Sequence, residues 1–172
     1  MVQTANQILS SLTVLGQIII LVLVISFLFR ENKIVGFFSK KAIPFSFVVA
    51  LIATLGSLFY SEIAGYEPCK LCWFQRIFMY PQVIILGVAY IKGHKKVADY
   101  SIALSIIGGV LATIHYLFQI GILTSSSCGT VGYSVSCAEK FVLTYGYITI
   151  PMMALTAFGL LIVFMIAQKK SK

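Results

Sequence analysis

The chain has 172 residues, of which 59% are hydrophobic and only 10% charged, and its mean hydropathy is +0.98. No soluble domain of this size could hide that much apolar surface, so the composition points to an integral membrane protein. The formal net charge of +8 would suit nucleic acid, but the basic residues sit in short clusters between apolar runs, which is the pattern of membrane topology signals and argues against a nucleic-acid role.

Residues 1–7 are polar and uncharged, without the positive charge and small-residue cleavage site of a signal peptide. The first apolar run, 8–29, is therefore expected to stay as a span, roughly 33 Å long at about 1.5 Å per residue. Arg30, Lys33, Lys40 and Lys41 follow it. A second run covers 42–60, with Pro44 tolerable near its start, and a short loop, 61–67, leads to a polar, reactive stretch: Glu67-Pro68-Cys69-Lys70-Leu71-Cys72-Trp73-Phe74-Gln75-Arg76. The third run ends at Ile91 and contains Pro81, which neighbouring groups can accommodate in a membrane. A basic turn, 92–96, precedes the fourth run, 97–123. A Ser-, Gly- and Tyr-rich loop, about 124–147, holds Cys128 and Cys137, and a fifth run, 148–167, ends in lysines. Gly108-Gly109 suits close helix packing.

With five spans, Arg30, Lys33, Lys40, Lys41, Lys92, Lys95, Lys96, Lys169, Lys170 and Lys172 share one side, and only Lys70, Arg76 and Lys140 fall on or near the other. That asymmetry assigns the first side to the cytoplasm, with the N-terminus outside and the C-terminus inside. All four cysteines then lie outside or at the outer surface, where disulfides persist. Tyr60, Tyr66, Trp73, Tyr116, Tyr133, Tyr145 and Tyr147 fall near the same boundary, as an interfacial belt would.

Pro68 suits a helix start, which puts the C-x-x-C in the first turn of a membrane helix. A thiolate there gains from the helix dipole and free backbone N–H groups. Helical spacing sets Cys69, Cys72 and Arg76 on one face, and an ionisable residue just inside the apolar layer is a functional candidate. A C-x-x-C also fits half a zinc site, a structural disulfide or chance; the topology, which used no cysteine, favours redox chemistry over zinc. Cys128 and Cys137 enclose eight residues, including Gly129 and Gly132, a loop that can close if the Cα atoms come within about 7 Å. Both pairs are expected as disulfides in the resting protein. Two disulfides on one membrane face, one on a loop, suggest a relay from a soluble partner to the membrane edge by thiol–disulfide exchange. His115 lies roughly 12 Å inside the fourth span and Arg76 at a similar depth. The two could converge on one pocket, where Arg and His would donate to the carbonyls of a lipid-soluble quinone. The alternative for His115 is a helix–helix hydrogen bond.

The motif from Pro68 to Arg76, His115 thirteen residues before Cys128, Cys137-Ala138-Glu139, and Ile148-Thr149-Ile150-Pro151 at the start of the last span together resemble the disulfide bond formation protein B (DsbB) family, in its BdbC-like branch, over about residues 42–172. The resemblance implies an all-α, four-helix bundle in the bacterial cytoplasmic membrane. It also implies a dithiol:quinone oxidoreductase that reoxidises an extracytoplasmic, DsbA-like thioredoxin-fold oxidase and passes electrons to ubiquinone or menaquinone. By position, Cys128 would be attacked by the partner and Cys137 would attack Cys69. Cys72, released as a thiolate, would face the quinone, with Arg76 binding and polarising it and His115 nearby. Segment 1–41, an added span and basic turn, departs from the family pattern and divides the chain into 1–41 and 42–172.

Overall fold

The computed structural model describes residues 2–29, 32–94, 96–123 and 136–170. Among the described residues six α-helices follow in order: α1 (Val2–Leu28), α2 (Asn32–Lys40), α3 (Ala42–Leu58), α4 (Lys70–Lys92), α5 (Val97–Gln119) and α6 (Ile150–Lys170). All but α2 are long and apolar enough to cross a membrane, α3 together with the π-helical turn Phe59–Ile63 that continues it. The protein is thus an all-α, multi-pass membrane protein.

Helix α3 packs on α4, α4 on α5, α5 on α6 and α6 on α3, which closes a four-helix ring with α4 and α6 diagonal. Helices α1 and α2 lie against α6 from outside the ring, so α6 is enclosed on most sides and buries Phe158, Leu161, Phe164 and Met165. Lipid offers no hydrophobic drive for such packing, so contacts depend on small residues and close fit. A Cβ on Gly108 would clash with the Phe158 ring, which explains the glycine there. On the other face of α6, a Cβ on Gly16 would already stand 2.9 Å from Leu160 Cδ1 and 3.1 Å from Thr156 Cγ2.

Four boundaries differ from the sequence expectation. The basic turn after the first run is helical over α2, because its apolar side docks: Phe38 stacks on Phe164 with ring centroids 5.7 Å apart. The second run does not end in a loop at residue 61 but widens into the π-helical turn. The fourth run stops being helical at Gln119. Gly121 takes the left-handed conformation there (φ 79°), and the Leu117 carbonyl accepts from the N–H groups of Ile122 and Leu123, a glycine-terminated helix end. Finally, α4 starts at Lys70 with Cys69 as its cap, so Pro68 precedes the helix rather than opening it.

Candidate dithiol site and its membrane cavity

At the start of α4 the backbone leaves its first N–H groups without helical partners. Cys69 fills this role with sulfur: its extended backbone (φ −68°, ψ 171°) lets Sγ accept from the Cys72 N–H at 3.4 Å, while its carbonyl accepts from the Trp73 N–H at 3.2 Å. The two sulfurs lie 3.2 Å apart as free thiols. The expected Cys69–Cys72 disulfide is therefore not present; the structure holds the reduced form of the pair, in which each sulfur is a hydrogen-bond partner of the other.

Behind Cys69 stands His115 of α5, only 2% exposed, with Nε2 at 3.5 Å from Cys69 Sγ and Nδ1 at 2.9 Å from Gln75 Nε2. An amide nitrogen only donates, so Nδ1 accepts and the ring proton sits on Nε2, aimed at Cys69. The thiol of Cys69, just outside the α4 span, is accordingly held well below the usual thiol range. The Cys72 side chain is the main cause, and His115 and the Cys72 N–H add to it against the opposing effect of burial. Once Cys69 ionises, the Cys72 S–H is the donor between the two sulfurs.

On the other side of the pair is a cavity of ≈ 280 Å³. Cys72, Gln75, Arg76, Met79 and Tyr80 line it from α4, and mostly apolar residues of α1, α3 and α6 complete it. Arg76 donates through Nε to Ser57 Oγ (3.0 Å) and through Nη2 to the Ser57 carbonyl (3.2 Å). Its guanidinium lies 5.1 Å from the Trp73 ring centroid, and Tyr80 also donates to Ser57 Oγ (3.1 Å). Ser57 precedes the π-helical turn, a distortion frequent at functional sites. Among the described residues only Ser57 accepts from Arg76, so the guanidinium keeps further N–H donors for a ligand. Tyr66 stacks between Tyr60 and Phe141 (5.8 and 4.9 Å), and all three rings line the cavity.

Cys72 and Arg76 thus share the cavity, as their spacing predicts, but Cys69 and His115 are not among its lining residues. Arg76 and His115 do not converge on one pocket. Gln75 connects the two sides, lining the cavity and bonding the histidine. The sequence reading gave Gln75, Ser57 and Tyr80 no role of their own; a polar side chain inside an apolar run was the available signal for the last two. Cys137 is buried and disulfide-bonded, in a segment held to α5 by a 2.8 Å hydrogen bond from Gln119 Nε2 to the Glu139 carbonyl. Cys128 and Tyr133 lie outside the described residues. Tyr60 is buried in the cavity wall rather than in an interfacial belt.

The ligand atoms of Cys69, Cys72 and His115 lie within 4.8 Å of one another, three of the four a structural zinc takes. Among the described residues no fourth His, Cys or carboxylate joins them.

Comparison with known proteins bears on this geometry. The sequence model of the family "Disulfide bond formation protein DsbB" matches residues 39–168. Disulfide bond formation protein C of Bacillus subtilis is 43% identical over 142 residues, 83% of this chain and 98% of that protein. A probable disulfide formation protein C 1 of Bacillus anthracis is 41% identical over 75% of this chain and 88% of its own length. A probable disulfide formation protein of Oceanobacillus iheyensis is 45% identical over 69% and 81%. No solved structure matches the chain.

Proposed function

The chain belongs to the DsbB family of disulfide bond formation proteins and is a membrane disulfide oxidase, and on that premise we propose that it is a dithiol:quinone oxidoreductase serving a DsbA-like thioredoxin-fold partner. The cysteines would face the extracytoplasmic side of a bacterial cytoplasmic membrane, with the four-helix part, 42–172, carrying the chemistry.

In this reading the partner's thiolate attacks Cys128 of a Cys128–Cys137 disulfide, and Cys137 leaves as a thiolate. Cys137 then attacks Cys69 of an oxidised Cys69–Cys72 pair, and Cys72 leaves in turn. At that stage Cys69 is joined to Cys137, and Cys72 alone carries the negative charge, in the same cavity as the positive Arg76. When the partner's second thiolate releases it as a disulfide, Cys128 leaves as a thiolate and attacks Cys137, which re-forms Cys128–Cys137, frees Cys69 and leaves the chain with the Cys69–Cys72 dithiol. Two electrons and two protons then leave through Cys69–Cys72, which becomes a disulfide again. His115, bonded by Gln75, favours the thiolate of Cys69 and so lowers the cost of ionising the dithiol.

A bound quinone supplies the terminal two-electron, two-proton acceptor. The cavity suits such a group: apolar walls for a ring and prenyl tail, and spare Arg76 donors for a carbonyl or its reduced anion. The observation that carries the proposal is that Cys72 and Arg76 line one membrane cavity while Cys72 Sγ stands 3.2 Å from Cys69 Sγ.

The test is steady-state oxidation of a reduced thioredoxin-fold partner by the purified protein, with ubiquinone or menaquinone analogues as acceptor. Partner oxidation that requires quinone supports the reading. Stoichiometric zinc released by thiol modification would favour a Cys69–Cys72–His115 metal site instead.

A further inference from the structure

Helix α1 lies outside the residues matched by the family model, yet it is built into the cavity. Leu12, Thr13, Gly16 and Ile19 line the same volume as Cys72 and Arg76. A helix that merely tethered the chain would need no specific docking, because lipid tails satisfy an apolar surface as well as protein does. Helix α1 is docked specifically. Gly16 permits the close approach to Leu160 and Thr156 of α6, and next to it Gln17 donates to Thr156 Oγ1 at 3.4 Å and accepts from Tyr147 OH at 2.8 Å. Tyr147 belongs to the turn closed by mutual backbone bonds between Thr144 and Ile148, in the described segment that carries Cys137. One face of α1 therefore meets α6, the loop and the cavity together.

We infer that α1 is a ligand-contacting wall of the cavity, whose Leu12, Thr13 and Ile19 side chains and Gly16 backbone touch a bound lipophilic quinone and keep lipid acyl chains away from Cys72. The inference rests on the quinone reading above.

A photoreactive azido-quinone, irradiated with the full-length protein in nanodiscs and mapped by peptide mass spectrometry, tests it. The expected result is label within residues 9–19 as well as on α3 or α4, displaced by excess unmodified quinone. Thr13→Trp, which fills the cavity from α1, should abolish displaceable label on α4. Ile18→Trp, on an exposed position that does not line the cavity, should leave it in place. Displaceable label confined to α3, α4 and α6 would overturn the role of α1 and leave the quinone reading standing. Label on α1 that excess quinone does not displace would also overturn it. No displaceable label anywhere would overturn both.

Discussion

Gln75 and Gln82 sit two turns apart on α4, and both are buried. Gln82 is saturated: Nε2 donates to Ser105 Oγ (3.2 Å) and the Phe78 carbonyl (3.1 Å), and Oε1 accepts from Ser101 (2.7 Å) and Ser105 (3.3 Å). Its network ties α4 to α5 and ends in inert hydroxyls. Gln75 also ties α4 to α5, but its bond to His115 continues to the Cys69 sulfur, and it borders a cavity. A buried polar group in a membrane thus needs partners in either case. The two differ in that the Gln75 chain of hydrogen bonds ends on a sulfur beside open volume, the arrangement the proposed function uses.

The sharpest break between the two regions is Cys72→Ser. It should abolish quinone-dependent turnover, because the electrons have no second sulfur to leave from, while thermal unfolding in detergent stays close to wild type. Arg76→Met comes next. A lost hydrogen bond to a charged group is worth roughly 1.5–3 kcal/mol, so quinone turnover at limiting quinone should fall about ten- to a hundredfold. Lysine should rescue only in part, since a point charge cannot hold Ser57 and a ligand with one planar fork. Thiol exchange with the partner should persist in both Arg76 variants, which separates a cavity defect from a folding defect.

His115→Phe should act through pH. Cys69 has a depressed thiol in the folded protein, so its thiolate persists as pH falls through the neutral range and is lost only in acid. Removing the His115 donor should raise the midpoint of Cys69 alkylation in the reduced protein by about one to two pH units, given the worth of a charged hydrogen bond. The rate near pH 6 should drop while rates in alkaline solution converge. Gln75→Leu should move the midpoint the same way by less. Gln82→Leu is the contrasting case and the smallest effect on function: it strands Ser101 and Ser105, lowers stability by about 1 kcal/mol, and leaves turnover and the alkylation profile unchanged.

Much of this was legible in the chain. The long apolar runs fix the five spans because hydrocarbon thickness sets their length, and the C-x-x-C before Arg76 marks the reactive end of α4. Relative height was legible in part: His115 bonds Gln75, the neighbour of Arg76, but it lies four residues from the end of α5 at Gln119 rather than eight from Leu123. Direction around the bundle was not. Whether His115 turns toward the cavity or toward Cys69 depends on how α5 rotates against α4, which the sequence of either helix leaves open. Gln75 read as part of a motif rather than as a contact for the same reason. The docking of α1 was hidden because Gly16 and Gln17 acquire meaning only beside Thr156 and Tyr147, at the far end of the chain. Helix α2 looked like a basic turn because its packing partner, Phe164, is equally distant.

The central claim is that electrons leave the Cys69–Cys72 dithiol through the cavity. Fully reduced protein, mixed anaerobically with a limiting amount of quinone, tests it when quinol formed and thiols lost are counted together over a single turnover. The account predicts one quinol for each Cys69–Cys72 disulfide formed in the wild-type protein and none in Cys72→Ser. Quinol formation without loss of these two thiols, or an undiminished yield in Cys72→Ser, would contradict it.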